Sequence, residues 1–364
     1  MINVFNYNFQ RLIIHKFLRI VTFPYRFFII TPYNFIISTI AYNSLKQEKT
    51  QNEVIFILSC TLGDVVFGMA YLKAYKNKNL DKHITLIAEE KTKPIVEAYD
   101  SYDEVRYYNK KEKWGKRYLR ILNASKFYYD KGLSDEIYNT IPWVKHGFEG
   151  GTCLELLRSD LALNSTSNLS LNHTSSEKSE KDEAIIECPH PKHSADVHII
   201  HSIKNFSISK DRIVVINPYG SNNNICQCGK ELEEIIKFLH NNGYRVYCNV
   251  IPGQDVLRNT LPLRCDLNEF YAIANAIPLI ISVRSGIMDW VVNTKSKKIV
   301  LDPHGFNSKA RSSFYRFYAM SQWKRDNIVE IALPNPDLIS IINDFLDQNI
   351  ITIISHKIHI IAFR

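Results

Sequence analysis

A short turn, Thr61-Leu62-Gly63-Asp64, breaks an apolar run that begins at Ile55, and a helix-like pattern then continues to Tyr75. A carboxylate and free backbone N–H groups at the carboxyl edge of a strand are the parts from which open α/β sheets build ligand sites. Asp64 could take a proton from a hydroxyl as a general base, help typically worth about 10²–10⁴ in rate. It could equally be a helix N-cap, which stabilises by about 1 kcal/mol. Gly63 suits close approach of a substrate, and a tight turn needs a glycine too.

A second turn, Arg284-Ser285-Gly286 followed by Asp289, comes after the apolar stretch 278–283. Gly286 would let backbone approach a ligand, while Ser285 and the helix start offer hydrogen-bond donors. Arg284 carries a guanidinium able to grip a phosphate through two parallel bonds. The plainer alternative is an N-capped helix with a surface arginine. A third turn, Asn217-Pro-Tyr-Gly220-Ser221, brings small residues to the end of another apolar run, with Lys230 the nearest base. Lys230 can also be just the first turn of the helix that follows.

Other constellations carry less. Cys188-Pro-His190-Pro-Lys-His193, with His198 and His201, matches no zinc-ligand spacing, and its prolines make it a loop. Cys226-Gln-Cys228 lacks a second cysteine pair. No metal site is therefore expected. No Walker loop, Gly-x-Gly-x-x-Gly or Ser/His/Asp order is present. Asp302-Pro-His-Gly-Phe306 leads into a basic, aromatic stretch with Lys309, Arg311, Tyr315, Arg316 and Tyr318. That stretch could touch a nucleotide or an anionic lipid, or pack its tyrosines on the domain.

The elements that must hold these turns alternate. Strands are expected over 54–59, 83–88 and 104–108, with helices over 65–75 and 91–99 between them. A second series begins at Arg212: strands over 213–217, 244–250, 278–282 and 298–301, helices over 230–241 and 268–276, and a helix starting near Gly286. Strands alternating with helices imply parallel pairing and doubly wound sheets. Residues 164–182, rich in Asn, Ser, Thr, Lys and Glu, read as a solvated loop. The domains expected are an arm at 1–48, a first domain at 49–205, a second at 206–330 and a C-terminal helical segment at 331–364.

The 364 residues are comfortable for two domains, and 45% hydrophobic with 23% charged residues is globular composition. A formal charge of +8 suits an anionic partner. No nucleic-acid motif accompanies it, so a phosphorylated ligand or a membrane surface fits better. Seven cysteines, an odd number scattered over the chain, form no disulfide framework and point to a reducing compartment. In the arm, Phe17, Leu18, Ile20, Phe23 and residues 27–30 mix with Arg11, Lys16, Arg19 and Arg26. Pro32, Asn34 and Asn43 interrupt its longest uncharged stretch. It reads as an amphipathic segment on an anionic leaflet, or as helices buried on the domain.

The Thr61–Asp64 turn resembles the Ala-Leu-Gly-Asp-like opening of bacterial heptosyltransferase-type glycosyltransferases. The helix, strand and polar turn from Leu267 to Asp289 resemble that family's donor-phosphate turn, with Arg284 standing where the family has Asp. The turn at 217–221 is similar to its His-Pro-Gly-like loop. The resemblance covers residues 53–110 and 212–305. It implies a GT-B architecture, two Rossmann-like domains facing a cleft, with the terminal helical segment returning toward the first domain. It further implies Asp64 as general base and Leu62 and Gly63 on the acceptor side. Gly220, Ser221, Lys230, Arg284, Ser285, Gly286 and Asp289 would lie on the donor side. The partners implied are a nucleotide diphosphate sugar, as substrate and without cofactor, and a glycan or lipid-linked acceptor at the inner face of the plasma membrane. A catalytically silent scaffold and a nucleotide-sugar epimerase are the alternatives on the same architecture.

Overall fold

The structure is a computed structural model that describes residues 31–58, 61–109, 111–112, 116–117, 120–121, 134–148, 150–163, 185–191, 212–220, 228–303 and 316–347. Its first sheet holds β1 (Glu53–Ile57), β2 (His83–Glu89), β3 (Glu104–Tyr108) and β4 (Ile137–Asn139), all parallel, in the order β3-β2-β1-β4. Every residue of β1 is buried, which is why its sequence is a near-continuous apolar run rather than an alternation. Helices α1 (Thr31–Glu48), α2 (Leu62–Met69), α3 (Leu72–Lys78), α4 (Lys93–Val96), α5 (Trp143–His146) and α6 (Cys153–Asp160) accompany it. The single helix expected over 65–75 is thus two, broken at Ala70 and Tyr71.

The second sheet is larger. It contains β5 (Ile213–Asn217), β6 (Arg245–Asn249), β7 (Leu261–Leu263), β8 (Leu279–Val283), β9 (Lys297–Asp302) and β10 (Ile328–Ala332). All are parallel, in the order β10-β9-β8-β5-β6-β7. Renumbered from its own first strand this is 3-2-1-4-5-6, the doubly wound dinucleotide-fold order. The strand order reverses between β5 and β8, and a crevice at the carboxyl ends of those strands is where such sheets hold ligands. Its helices are α7 (Gly229–Asn241), α8 (Leu267–Ala276), α9 (Gly286–Trp290) and α10 (Leu338–Asp347). The i, i+3, i+4 spacing of Leu232, Ile235, Ile236 and Leu239 gives α7 one buried face. A reciprocal pair of bonds between Asp266 and Glu269 starts α8.

Of the C-terminal segment expected at 331–364, helix α10 packs on the second sheet, with Leu338, Ile342 and Phe345 in the same cluster as Val214, Ile216 and Leu232; residues 348–364 lie outside the described residues. The two units, expected to face each other across a cleft, also share one apolar cluster, running from Val54 and Phe67 through Met288 to Trp323.

The expected arm divides. Residues 1–30 lie outside the described residues. The later half of α1 is part of the first unit, because Ala41, Tyr42 and Leu45 pack with Ile55, Ile57, Ile87 and Ile137. Its earlier half leaves Tyr33, Phe35, Ile36 and Ile40 exposed, at 59, 40, 58 and 62%. No helix among the described residues is long and apolar enough to cross a membrane. Leu45, 1% exposed, should lose about 2–5 kcal/mol of stability on replacement by Ala, as buried leucines do. Ile40→Ser should stay within about 0.5 kcal/mol of the parent. Urea unfolding of both variants measures the difference.

Candidate functional site

The two turns singled out by their chemistry meet. At the first, Thr61 is the N-cap of α2, with extended backbone (φ −103°, ψ 143°). Asp64 sits inside the first helical turn, so it is not the cap. Its carboxylate is held from both sides: Thr61 Oγ1 donates to Oδ2 at 2.6 Å, and Tyr318 Oη donates to Oδ1 at 2.8 Å. Burial, and then the negative charge of Asp64, push the Tyr318 phenol far above its ordinary range, so it remains a donor at any physiological pH.

The start of α9 lies directly against the start of α2. A Cβ on Gly286 would fall 2.9 Å from the Gly63 Cα and against its nitrogen, and one on Gly63 would fall 3.1 Å from the Gly286 Cα. Only glycine at both places allows backbone to touch backbone here. The missing side chain of Gly286 therefore makes room for Gly63 in this arrangement, not for a phosphate.

Arg284 also differs from its expected role. Its side chain is 7% exposed and pairs with Asp289, itself 1% exposed. Nη1 donates to Asp289 Oδ2 at 2.9 Å and Nη2 to Oδ1 at 3.0 Å, the two-pronged geometry expected for a phosphate but spent on a carboxylate. Nε donates to the Tyr318 carbonyl at 2.7 Å and Nη1 to the Ser285 carbonyl at 2.9 Å. Trp323 Nε1 adds a third donor to Asp289, at 3.0 Å. Burial pushes the Asp289 carboxyl up while Arg284 and Trp323 pull it back. Neither the guanidinium nor the carboxylate faces solvent.

The link from β9 to β10 ties this together. Within it, Gln322 Oε1 accepts from the Leu154 N–H of α6 at 2.9 Å, and Trp323 stacks on Phe67 of α2 at 5.1 Å between centroids. Residues 316–323 thus belong to the second sheet by sequence and reach the first unit by contact.

Ser285 is the N-cap of α9, yet its hydroxyl makes no cap bond. It accepts instead from Asn217 Nδ2 at 3.3 Å, and Asn217 also donates to Ser282 Oγ at 3.0 Å. Asn249 Nδ2 donates to Asn217 Oδ1 at 3.1 Å. All four are buried, forming a polar network at the switch point of the second sheet. Gly220, three residues beyond Asn217, is half-buried with open space where a Cβ would stand. Lys230 is exposed in the first turn of α7 and makes no bond to this cluster. Ser221 lies outside the described residues. So Leu62, Gly63, Asp64, Arg284, Ser285, Gly286 and Asp289 come together, while Lys230 does not join them. Trp323, Gln322 and Asn249 were missed, as was the pairing of Tyr318 with Asp64. Only the aromatic density around Tyr318 hinted at them.

Cys188 is buried, with Arg325 Nη2 at 3.1 Å from its sulfur, and His190 lies 3.3 Å from Asn293 Nδ2. His193, His198, His201 and Cys226 lie outside the described residues. Among the described residues no group of three His, Cys, Asp or Glu side chains could hold a metal ion.

Two parallel Rossmann-like sheets, joined through facing helix starts, define a GT-B-type fold. It is similar to that of the glycosyl transferase family 9 protein of Veillonella parvula DSM 2008, with 14% identity over 78% of this chain and 86% of the other, at TM-score 0.50. It is likewise similar to the ADP-heptose lps heptosyltransferase II of E. coli, with 11% identity over 81% of this chain and 98% of the other, at TM-score 0.51. No protein-family model and no curated protein matches the sequence. The likeness is one of fold, and it agrees with the heptosyltransferase-like architecture that the two turns implied.

Arg284→Ala strips the partner from a carboxylate that stays buried, and breaking such a pair costs about 3–5 kcal/mol. Its main effect should therefore be a fall of that size in urea stability. A change in nucleotide affinity alone, at parental stability, would mean that the pair is open to ligand.

Proposed function

We propose that this chain is a glycosyltransferase. It would move a sugar from a nucleotide diphosphate sugar to a growing surface glycan, of lipopolysaccharide, capsule or similar kind. The observation that carries this reading is the placement of Asp64. It is a half-buried carboxylate fixed by two hydroxyl donors, at the carboxyl edge of one Rossmann-like sheet and facing the switch-point turn of the other. Asp64 acts as general base on the acceptor hydroxyl, whose oxygen attacks the anomeric carbon as the nucleoside diphosphate leaves. Main-chain N–H groups and the hydroxyl and amide groups around Asn217, Ser282 and Ser285 are the donors that can stabilise that leaving diphosphate without a metal. The donor would enter where the Gly63 and Gly286 turns meet, with Gly220 on the donor side.

Asp64→Asn tests the reading. Asn can still accept from Tyr318 and meet Thr61, so folding should survive. Turnover of a nucleotide sugar should fall by about 10²-fold or more while donor affinity stays near that of the parent. Retained turnover removes Asp64 from the chemistry.

One observation favours a second reading, that of a catalytically silent scaffold. The Gly63–Gly286 turns are in contact and Arg284 is paired with buried Asp289, so neither turn presents its expected donor-side group to a ligand. Thermal shift with UDP, ADP, GDP and CDP decides between the two. Stabilisation by one of them supports the enzyme, and none by any supports the scaffold.

The same proposal places the protein in the cytoplasm, at the inner face of a bacterial plasma membrane. The support is the exposed apolar half of α1 together with a sequence that has no acidic residue before Glu48. Full burial of one isoleucine is worth about 1.5–3 kcal/mol. The double variant Ile36→Asp with Ile40→Asp should thus lower binding to 3:1 phosphatidylcholine–phosphatidylglycerol vesicles by roughly tenfold or more. Equal co-sedimentation of parent and variant would take this face off the membrane.

A further inference from the structure

We infer that Tyr318 is a positioning residue for Asp64, delivered by the second unit so that the candidate base is aligned when the two units are closed. The inference rests on the reading of Asp64 as general base. Tyr318 lies 254 positions from Asp64 in sequence, and its Oη still donates to Oδ1 at 2.8 Å. Its backbone is held on the side of the second unit, where its carbonyl accepts from Arg284 Nε at 2.7 Å. Its ring is held by Phe67 and Phe148 of the first unit, at 5.8 and 6.4 Å between centroids, and by Phe317 at 4.8 Å. Gln322 clamps the same segment: Nε2 donates to the Phe317 and Ala319 carbonyls while Oε1 accepts from Leu154 N–H. A hydroxyl fixed at both ends in this way can dictate the rotation of the carboxylate it touches.

The chemistry follows from the lone pairs. A carboxylate has two oxygens with about two acceptor positions each. Thr61 takes one on Oδ2 and Tyr318 one on Oδ1. Together they fix the plane of the group. A hydrogen bond to the charged form favours that form, so losing it raises the carboxyl's pKa. Among the described residues, the other titratable groups bearing on this site are Cys153 from α6 and Arg284 and Asp289 at α9. Glu330 of β10 acts on Arg284 and Asp289 in turn. Tyr318 itself acts on Arg284 among these groups; Tyr318→Phe removes only the hydroxyl and keeps the ring.

The test is a carboxyl-carbon NMR titration of the full chain labelled at aspartate, with the Asp64 signal assigned by its loss in Asp64→Asn. Tyr318→Phe should move the Asp64 midpoint upward by roughly half a pH unit or more. Replacing Tyr318 by 3-fluorotyrosine, a stronger acid and stronger donor, should move it downward. A purely structural tyrosine would produce neither of these opposed shifts, and a midpoint unmoved in both proteins overturns the proposal. Hydrolysis of UDP-glucose, ADP-glucose and GDP-mannose adds a second readout. Where one is turned over, the acid limb of kcat/KM in Tyr318→Phe should follow the NMR shift, with kcat lowered by about tenfold and donor KM unchanged. Full turnover in Asp64→Asn would defeat the base reading itself. An inactive Asp64→Asn beside a Tyr318→Phe with parental midpoint and limb would defeat only the positioning role.

Discussion

Everything around the candidate site depends on two glycines touching. Gly63 and Gly286 start helices that belong to different sheets, and the absence of a Cβ at each lets the two turns meet backbone to backbone. Beside that contact Arg284 and Asp289 are 7% and 1% exposed, and shut off from solvent they have no better partner than each other. A buried charge left single would cost several kcal/mol, so the pair and the close approach are mutually dependent. Separating the turns would rehydrate both.

Asp64 lies beside the same contact, half-buried. Its charge is felt by Asp289, and two hydroxyls, of Thr61 and Tyr318, donate to it. A hydroxyl donor steadies a carboxylate without neutralising it, which is what a group that must later accept a proton requires. An arginine in the same place would hold it more tightly and make it a poorer base. The division of labour is thus electrostatic: the guanidinium satisfies the structural carboxylate, and neutral donors satisfy the candidate functional one.

The sequence disclosed the sheets better than the site. β1, β5 and β8 are wholly buried parallel strands, and such strands announce themselves as apolar runs closed by polar turns. β4 and β7 have three residues each, too few to show a period, and β7 is mostly exposed. The break between α2 and α3 left no sign, because Ala70 and Tyr71 fit a helical pattern as well as any residue. The turns at 61–64 and 284–286 were visible because Gly beside a polar residue after an apolar run has few structural uses. What those turns touch was not visible. Arg284 has the same composition whether it faces a phosphate or Asp289, and only the position of Gly63, more than two hundred residues away, decides between them.

The partner of Asp64 was hidden for a related reason. Tyr318 sits in a link between β9 and β10 with no periodicity, among other aromatic and basic residues that would read alike. Its importance comes from the route of that link. Residues 316–323 leave the second sheet and pack on α2 and α6 before β10 rejoins it. A link that belongs to one unit and is bonded to the other senses their separation directly. Any opening wide enough to admit a diphosphate between Gly63 and Gly286 must either stretch the Tyr318–Asp64 bond or carry the link along with the first unit. The bond from Arg284 to the Tyr318 carbonyl opposes the second course, since it ties the link to the turn that would be moving away. In the structure, the Gly63–Gly286 contact, the Arg284–Asp289 pair and the Tyr318–Asp64 bond are thus tied to one another.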